Sequence, residues 1–152
     1  MSAARIKTVV QLRADADCPS HSRADVKIRD LTFSIDEPLE RGGGNSGPAP
    51  TDAALAALIG CTNVIGHKCA AKLGVDVGHM KISATCDFDR RGVTLSEEID
   101  RPFQKIDLDI EVDGAASEGE LKTLAAEIQK YCPLAKLFRE AGVEIHEHWR
   151  KK

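Results

Sequence analysis

The sequence predicts an α+β fold in which strands come before and after a long central helix, and Cys61 lies in an apolar run of this helix. Three observations support this prediction. Stretches of alternating polar and apolar residues, typical of half-buried strands, occur before and after residues 53–73. Residues 53–59 have no polar side on a helical wheel, which is typical of a buried helix. Ser117 followed by Glu120 has the spacing of a capping box ahead of an amphipathic run.

The predicted elements fill one domain, residues 1–152, because a chain of 152 residues is most simply a single domain. Strands are expected over residues 5–13 and 25–36, with a turn over 14–23 between them. A loop rich in glycine and proline then leads to the central helix.

The central helix has recognisable start and stop signals. Thr51 or Asp52 is expected to cap its first turn, and Gly74 is expected to end it just after Leu73. Pro133 starts a new short helix, since proline suits the first helical position. The remaining predicted elements are strands over 76–90, 103–114 and 143–149 and helices over 117–132 and 133–142.

Composition excludes several functional classes. The net charge of -3 and the 4% aromatic content give no reason to expect a nucleic-acid partner. The longest apolar run, residues 53–60, is too short to span a bilayer, and residues 1–12 lack the apolar core of a signal peptide. We therefore expect a cytoplasmic protein with neither a nucleic acid nor a membrane as partner.

The five cysteines are an odd number and do not resemble a secreted disulfide framework. In a reducing compartment such thiols serve either packing or redox chemistry. Cys69 follows Cys61 by eight residues, about 12 Å along a helix, which is too far for a disulfide within the helix. We expect Cys69 to pack in the core. His146 and His148 alternate on one strand and are expected to form part of a polar face, so no metal site is predicted.

Cys61 and Cys132 occupy different local settings. Cys61 lies mid-helix, where burial would raise its pKa, so it would need a nearby cation to react. Without such a cation, core packing is the favoured interpretation, because a small thiol suits a core formed by Ala, Leu and Gly. Cys132 directly precedes the helix that Pro133 begins, where backbone N–H groups and the helix dipole favour a thiolate.

Several short motifs in order resemble the OsmC/Ohr family of thiol peroxidases, and the broad OsmC-like branch in particular. No single motif is specific, but their order and spacing over residues 36–140 are. The matching stretches are Asp36-Glu37-Pro38, Gly42 to Gly44, Gly47 to Asp52, Leu55 to Cys61 and Cys132-Pro133-Leu134.

This resemblance implies an OsmC-like fold, with antiparallel strands around a buried central helix, in an intertwined homodimer. It implies that Cys61 is the peroxidatic cysteine and Cys132 the resolving one. The substrates would be hydroperoxides, organic ones above all. An external dithiol of the lipoyl or thioredoxin type would be the reductant, and no bound cofactor would take part.

The resemblance also implies an arginine that meets the reactive thiolate and a glutamate that orients that arginine. The position matching the glutamate is Thr51, and its neighbour Asp52 either replaces the glutamate or only caps the helix; capping is the favoured interpretation. The arginine could be Arg13, Arg23 or Arg29. Arg23 lies nearest the expected location, whereas Arg29 is expected within a strand, where it could share the inward face of Leu31 and Phe33.

Two other functional classes stay open at this point. The same dimer could hold a small apolar ligand in its pocket, with the thiols serving packing or slow redox sensing. Acyl transfer through Cys61 is weaker, since no histidine is placed to act as its base. His67 is six residues further on and lies on the far side of the helical wheel.

Overall fold

The computed structural model describes residues 6–152. Its contacts divide the chain into two compact units, with the boundary between Ala53 and Ala54. The expectation of one domain over residues 1–152 therefore stays a prediction, and the two units are described separately.

The first unit contains a three-stranded antiparallel sheet in the order β1-β2-β3, built from Asp15–Asp17, Ala24–Ile28 and Leu31–Ile35. The predicted strand over residues 5–13 is wrong for its described part, residues 6–13, and β1 lies inside the predicted turn. The predicted strand over 25–36 is in fact a hairpin, since Ile28 pairs with Leu31 across a two-residue turn.

The loop between β3 and the long helix is organised by one buried carboxylate. Asp36 is 1% exposed. Its oxygens accept hydrogen bonds from the backbone N–H groups of Glu37, Gly44 and Ser46, at 2.8, 3.1 and 3.1 Å, and from the Ser46 hydroxyl at 2.6 Å. The pKa of Asp36 is well below its ordinary value, chiefly because of the bonds from Ser46. The glycine-rich segment is thus a closed loop folded around Asp36.

The central helix, α1, spans Pro50–Leu73 and ends where the sequence predicts. Thr51 and Asp52, the predicted caps, lie within its first turn because the helix already begins at Pro50. There the Asp52 carboxylate can still interact favourably with the positive end of the helix dipole.

The prediction that α1 is buried holds for only one of its faces. Its fully buried residues recur at helical spacing and are Leu58, Thr62, Gly66, Cys69 and Ala70. Other apolar positions are open, and Val64 is 51% exposed. By length and composition α1 could cross a membrane, and 28% of its most apolar window is buried. Core helices of soluble proteins can be equally long and apolar.

The second unit contains a three-stranded sheet in the order β4-β5-β6, built from Met80–Phe88, Phe103–Val112 and Glu144–Lys151. The strands β4 and β5 are antiparallel, but β6 runs parallel to β5. The expectation of antiparallel strands throughout is therefore wrong for this pair. Helices α2, Glu118–Tyr131, and α3, Pro133–Glu140, lie between β5 and β6 in the chain and provide the crossover that parallel strands need.

The core of this unit follows the predicted period-two pattern. Side chains at alternate positions of β5 are buried, whereas Asp109 and Glu111 project from its other face into ion pairs with Arg150. The capping box is confirmed, since the Ser117 hydroxyl and the Glu120 carboxylate each bond to the other's backbone N–H. One core cluster contains the buried residues of both β5 and α2. Those of β5 are Ile106, Leu108, Ile110 and Val112, and those of α2 are Leu121, Leu124 and Ile128.

Candidate functional site

The two cysteines singled out by sequence meet in the second unit. The Cys132 thiol donates a hydrogen bond to Cys61, with 3.1 Å between the two Sγ atoms, although 71 residues separate them in the chain. Both are free thiols; Cys132 is fully buried and Cys61 is half-buried. A disulfide bond measures about 2.05 Å, so only a small displacement separates this pair from a bonded one. The arrangement can therefore interconvert between a dithiol and a disulfide.

The position of Cys132 follows from its neighbours in sequence. It ends α2, where its backbone N–H bonds to the carbonyl oxygen of Ile128, and it is the N-cap of α3. Pro133 cannot donate a backbone hydrogen bond and restricts the residue before it to extended conformations. Cys132 accordingly has φ -70° and ψ 109°. This break between the two helices leaves its side chain pointing at Cys61.

Cys132 is less acidic than its place at a helix N-terminus suggests. Its Sγ accepts a hydrogen bond from the N–H of Ala135 at 3.5 Å, which favours a thiolate. Burial and the neighbouring Cys61 sulfur outweigh that bond and raise the pKa of Cys132 to about 11. The helix terminus does favour a Cys132 thiolate, as predicted, but burial is the larger effect, so the net pKa is raised rather than lowered.

Cys61 is held by the buried face of α1. Its neighbour Thr62 is 2% exposed, and the Thr62 hydroxyl donates to the carbonyl oxygen of Leu58 at 2.8 Å. One turn further, a Cβ atom on Gly66 would lie 3.0 Å from Cε of Met80 and 3.6 Å from Cδ1 of Ile128. The absence of a side chain at Gly66 thus lets α1 approach β4 and α2 closely.

The other predicted site residues lie in the first unit. Arg23 precedes β2, and its Nε atom donates to Asp25 at 2.8 Å, which raises the pKa of the guanidinium. Arg29 is exposed in the turn between β2 and β3, with φ 57°, so its expected place on an inward strand face is wrong. Arg13 bonds to the side chain of Gln11. Asp52 is exposed on α1.

The remaining cysteines and the paired histidines have simpler surroundings. Cys69 is 4% exposed in the core cluster, as expected. His146 and His148 lie on the exposed face of the sheet. Nε2 of His146 is 3.4 Å from Oε2 of Glu144, and Nε2 of His148 is 3.4 Å from Oδ1 of Asp107. Residues 6–152 contain no group of three side chains suited to hold a metal ion.

Sequence reasoning missed a polar contact beside Cys132. The ammonium group of Lys72, in the last turn of α1, bonds to Glu127 and to Tyr131 on α2. Its signal in the sequence was weak: Glu127 is three residues before Lys130 and four before Tyr131, a spacing that places all three on one side of a helix. Only the tertiary structure brings Lys72 to that side.

The chain was compared with known families, curated proteins and solved structures. The model of the family described as OsmC-like protein matches residues 43–148, which include both cysteines but none of the three arginines. Comparison with curated protein sequences finds no match.

Solved structures of similar fold cover nearly the whole chain. An OsmC-like protein from Mycoplasma pneumoniae is 16% identical with a TM-score of 0.78, over 93% of this chain and 97% of that one. An organic hydroperoxide resistance protein from Legionella pneumophila is 15% identical with a TM-score of 0.71, over 94% and 98%. The organic hydroperoxide resistance protein OhrB of Bacillus subtilis is 14% identical with a TM-score of 0.65, over 93% of this chain and 98% of that one. The chain has an α+β OsmC-like fold and belongs to the OsmC-like protein family.

Proposed function

We propose that this protein is a thiol-dependent peroxidase that reduces organic hydroperoxides through Cys61 and Cys132. The observation that carries the proposal is the hydrogen bond from Cys132 to Cys61. Some proteins of the same fold are named for organic hydroperoxide resistance, which favours this reaction over others of the same thiol pair. The paired sulfurs also favour it over a ligand-binding dimer in which the thiols only pack.

The reaction begins with the Cys61 thiolate. It attacks one oxygen of the hydroperoxide, the O–O bond breaks, and the alkoxide leaves and takes up a proton to become the alcohol. Cys61 is oxidised to a sulfenic acid. The hydrogen bond from neutral Cys132 stabilises negative charge on the Cys61 sulfur before the attack.

Cys132 then resolves the sulfenic acid. Its sulfur attacks the Cys61 sulfur, an S–S bond forms, and the hydroxyl group leaves with the Cys132 proton as water. Because burial raises the pKa of Cys132 to about 11, this thiol is protonated in the reduced protein and brings the proton that leaves with the hydroxyl group. An external dithiol of the lipoyl or thioredoxin type then reduces the disulfide by exchange and is itself oxidised to a disulfide.

The cation that meets the Cys61 thiolate is proposed to be Arg23, with Arg13 and Arg29 as the alternatives. Arg23 is the one whose guanidinium is already oriented by a carboxylate, that of Asp25. The test compares Arg23→Met with Arg29→Met in the rate of Cys61 oxidation. A large loss in the Arg29 variant alone would transfer the role to Arg29.

Asp52 is proposed to take the place of the family's glutamate within a homodimer. It lies nine residues before Cys61, about 13 Å along the axis of α1. Residues nine apart also project from opposite sides of a helix, so Asp52 cannot contact Cys61 of its own chain and would act through the arginine that it orients. An Asp52→Asn variant that oxidises Cys61 at the normal rate would leave Asp52 without a role in catalysis.

The homodimer itself is proposed because apolar surface of α1 is open in the single chain. Val64 is 51% exposed, and Ala56, Ala57 and Gly60 beside it are exposed as well. Contiguous apolar surface of this kind marks an interaction site. We also propose that the protein works in the cytoplasm, where dithiol reductants keep its cysteines reduced.

The deciding experiment is a map of the oxidised thiols. Reduced protein is treated with one equivalent of cumene hydroperoxide, and peptide mass spectrometry locates the oxidised cysteines. We expect a Cys61–Cys132 disulfide that forms within seconds and is absent in Cys61→Ser. Unreacted Cys61, or oxidation spread over Cys18 and Cys69, would contradict the peroxidase and favour the ligand-binding alternative.

A further inference from the structure

A polar contact joins α1 to the last turn of α2, next to the paired sulfurs. Nζ of Lys72 lies 2.8 Å from Oε1 of Glu127 and 3.1 Å from the hydroxyl oxygen of Tyr131. The same ammonium lies 4.9 Å from the centroid of the Tyr131 ring, within range of a cation–π interaction. Lys72, Glu127 and Tyr131 are called the Lys72 clamp below.

The Lys72 clamp acts on the backbone that carries Cys132. Tyr131 is the last residue of α2 and is bonded directly to Cys132. The Cys132 N–H in turn donates to the carbonyl oxygen of Ile128 at 3.0 Å, which keeps Cys132 on the same final turn. A force that holds Tyr131 against α1 therefore also holds the Cys132 sulfur at a fixed distance from α1.

The same geometry relates Lys72 to Cys61. Eleven residues separate them on α1, close to three full turns, so both project from nearly the same side of the helix. Helical side chains tilt toward the N-terminus, which directs the long Lys72 side chain back toward the turns that precede it. Cys61 and Lys72 thus contact the two adjacent residues Cys132 and Tyr131 from one helix.

The charges of the Lys72 clamp persist across the working pH range. Hydrogen bonds from Lys130 and Lys72 lower the pKa of Glu127 to about 2, and those to Glu127 and Tyr131 raise the pKa of Lys72. Lys130 pairs with the other oxygen of the same carboxylate, Oε2, at 2.8 Å, but it does so within α2. Glu127 therefore forms two similar ion pairs. The pair with Lys72 joins α1 to α2, whereas the pair with Lys130 lies within α2.

We infer that Lys72 is a positioning residue for the resolving step, since its clamp keeps the Cys132 sulfur within reach of Cys61. The inference rests on the proposed function in taking Cys132 as the resolving thiol. In the protein with an intact clamp, the two reduced sulfurs are held at the separation from which the disulfide closes. Without it, the last turn of α2 is free to move away from α1, and closure becomes slower and less favourable.

The test measures closure without any hydroperoxide. Reduced protein is equilibrated with mixtures of reduced and oxidised glutathione, in which one oxidised glutathione and the dithiol give the Cys61–Cys132 disulfide and two reduced glutathiones. Mass spectrometry gives the fraction of that disulfide and hence its equilibrium constant. We expect Lys72→Met to lower this constant about two- to fivefold, the range set by a partly exposed ion pair.

Lys130→Met is the matched control, because it removes an equal charge from the same carboxylate without disconnecting the helices. It should leave the equilibrium constant unchanged, and Lys72→Arg should restore most of the loss. Tyr131→Phe, which deletes only the hydroxyl contact, should give a smaller effect in the same direction and covers the case in which Lys72→Met fails to fold. Equal constants for Lys72→Met and wild type, or equal losses in Lys72→Met and Lys130→Met, would overturn the inference.

A second measurement separates this inference from the proposed function. With cumene hydroperoxide, Lys72→Met should still form the Cys61 sulfenic acid, and dimedone should trap a larger fraction of it than in wild type because closure is slower. If Cys61 does not react with the hydroperoxide in any variant, the peroxidase proposal fails. The glutathione equilibrium then still decides whether Lys72 positions the thiol pair.

Discussion

Cys132 donates its thiol proton to Cys61 across 3.1 Å, while the backbone N–H of Ala135 approaches the same Cys132 sulfur at 3.5 Å. The buried Cys132 sulfur thus donates a hydrogen bond to the Cys61 thiol and accepts one from an N–H group at the N-terminus of α3. The direction of the first bond distinguishes the two cysteines, because the acceptor, Cys61, is the one whose negative charge is stabilised. The half-buried Cys61 is also the more accessible of the two.

This asymmetry predicts different losses for the two serine variants. Cys61→Ser should lower the consumption of cumene hydroperoxide by about two orders of magnitude or more, because the only attacking sulfur is gone. Cys132→Ser should still react once, but it should stop at a sulfenic acid that dimedone traps and that excess oxidant converts to a sulfinic acid. Peptide mass spectrometry after a single addition of oxidant distinguishes these products.

Cys18→Ser serves as the control, since Cys18 is an exposed thiol remote in sequence from both helices of the pair. It should consume hydroperoxide at the wild-type rate. A Cys132→Ser variant that turns over repeatedly with a dithiol would show instead that Cys61 is reduced directly, without a resolving cysteine in the chain.

The raised pKa of Cys132 predicts a loss of stability in alkaline solution. Its ordinary value is 9.0 and its value in the folded protein is about 11, so the folded state binds the proton more tightly than the unfolded state. The contribution of the Cys132 thiol to the free energy of unfolding is therefore fully present below pH 9, and it falls as the pH rises from about 9 to 11. The loss should be on the order of 2 kcal/mol in the free energy of unfolding.

The measurement is urea unfolding of wild type and Cys132→Ser at several pH values between 8 and 11. Lysine, tyrosine and the other cysteine side chains titrate in this range in both proteins, so the difference between the two reports on Cys132 and its hydrogen bond to Cys61. That difference should shrink as the pH rises. A difference that stays constant would mean that Cys132 ionises in the folded protein as easily as in the unfolded one.

The open face of α1 predicts a dimer that depends on Val64. Val64→Asp places a charge on this apolar surface and should shift the protein toward a monomer, since a buried unpaired carboxylate is strongly disfavoured. Sedimentation velocity at micromolar concentration measures the change. Val93→Asp is the matched control, because Val93 is similarly exposed, at 63%, in the loop between β4 and β5. Equal effects of the two substitutions would count against α1 as the interface.

Much of the second unit could be predicted from local patterns. The alternation in β5 and the capping box of α2 depend on neighbouring residues, and both are confirmed. The parallel pairing of β6 with β5 was missed because it depends on a crossover of two helices rather than on the strand's own residues. The turn at Arg29 was missed because arginine rarely takes a positive φ, and no glycine or asparagine marks the hairpin.

The site was only partly predictable for a similar reason. The two cysteines follow from motif spacing, and Pro133 correctly marks the helix that Cys132 caps. The acidity of Cys132 was predicted in the wrong direction because helix position can be seen in the sequence, whereas burial cannot. Lys72 was overlooked because its contacts with Glu127 and Tyr131 exist only after α1 and α2 have packed.

The buried carboxylate of Asp36 predicts that the loop before α1 loosens in acid. Its pKa lies well below the ordinary 3.8, so its stabilising effect is complete above pH 3.8 and is lost as the pH falls toward the lower value. In wild type the N–H groups of Gly44 and Ser46 donate to one carboxylate oxygen of Asp36. In Asp36→Asn an amide N–H₂ group takes the place of that oxygen and cannot accept these hydrogen bonds. Hydrogen exchange of these two amides should be faster in the variant at pH 6.

The matched control is Asp30→Asn, which removes the same charge from an exposed turn of the same unit. It should leave the exchange of Gly44 and Ser46 unchanged. In wild type the exchange of both amides, corrected for its intrinsic pH dependence, should accelerate below pH 3.8, and Asp36→Asn should lack this acceleration because it has no carboxylate to protonate. Equal protection in the two asparagine variants would mean that the glycine-rich segment is held by its backbone contacts rather than by Asp36.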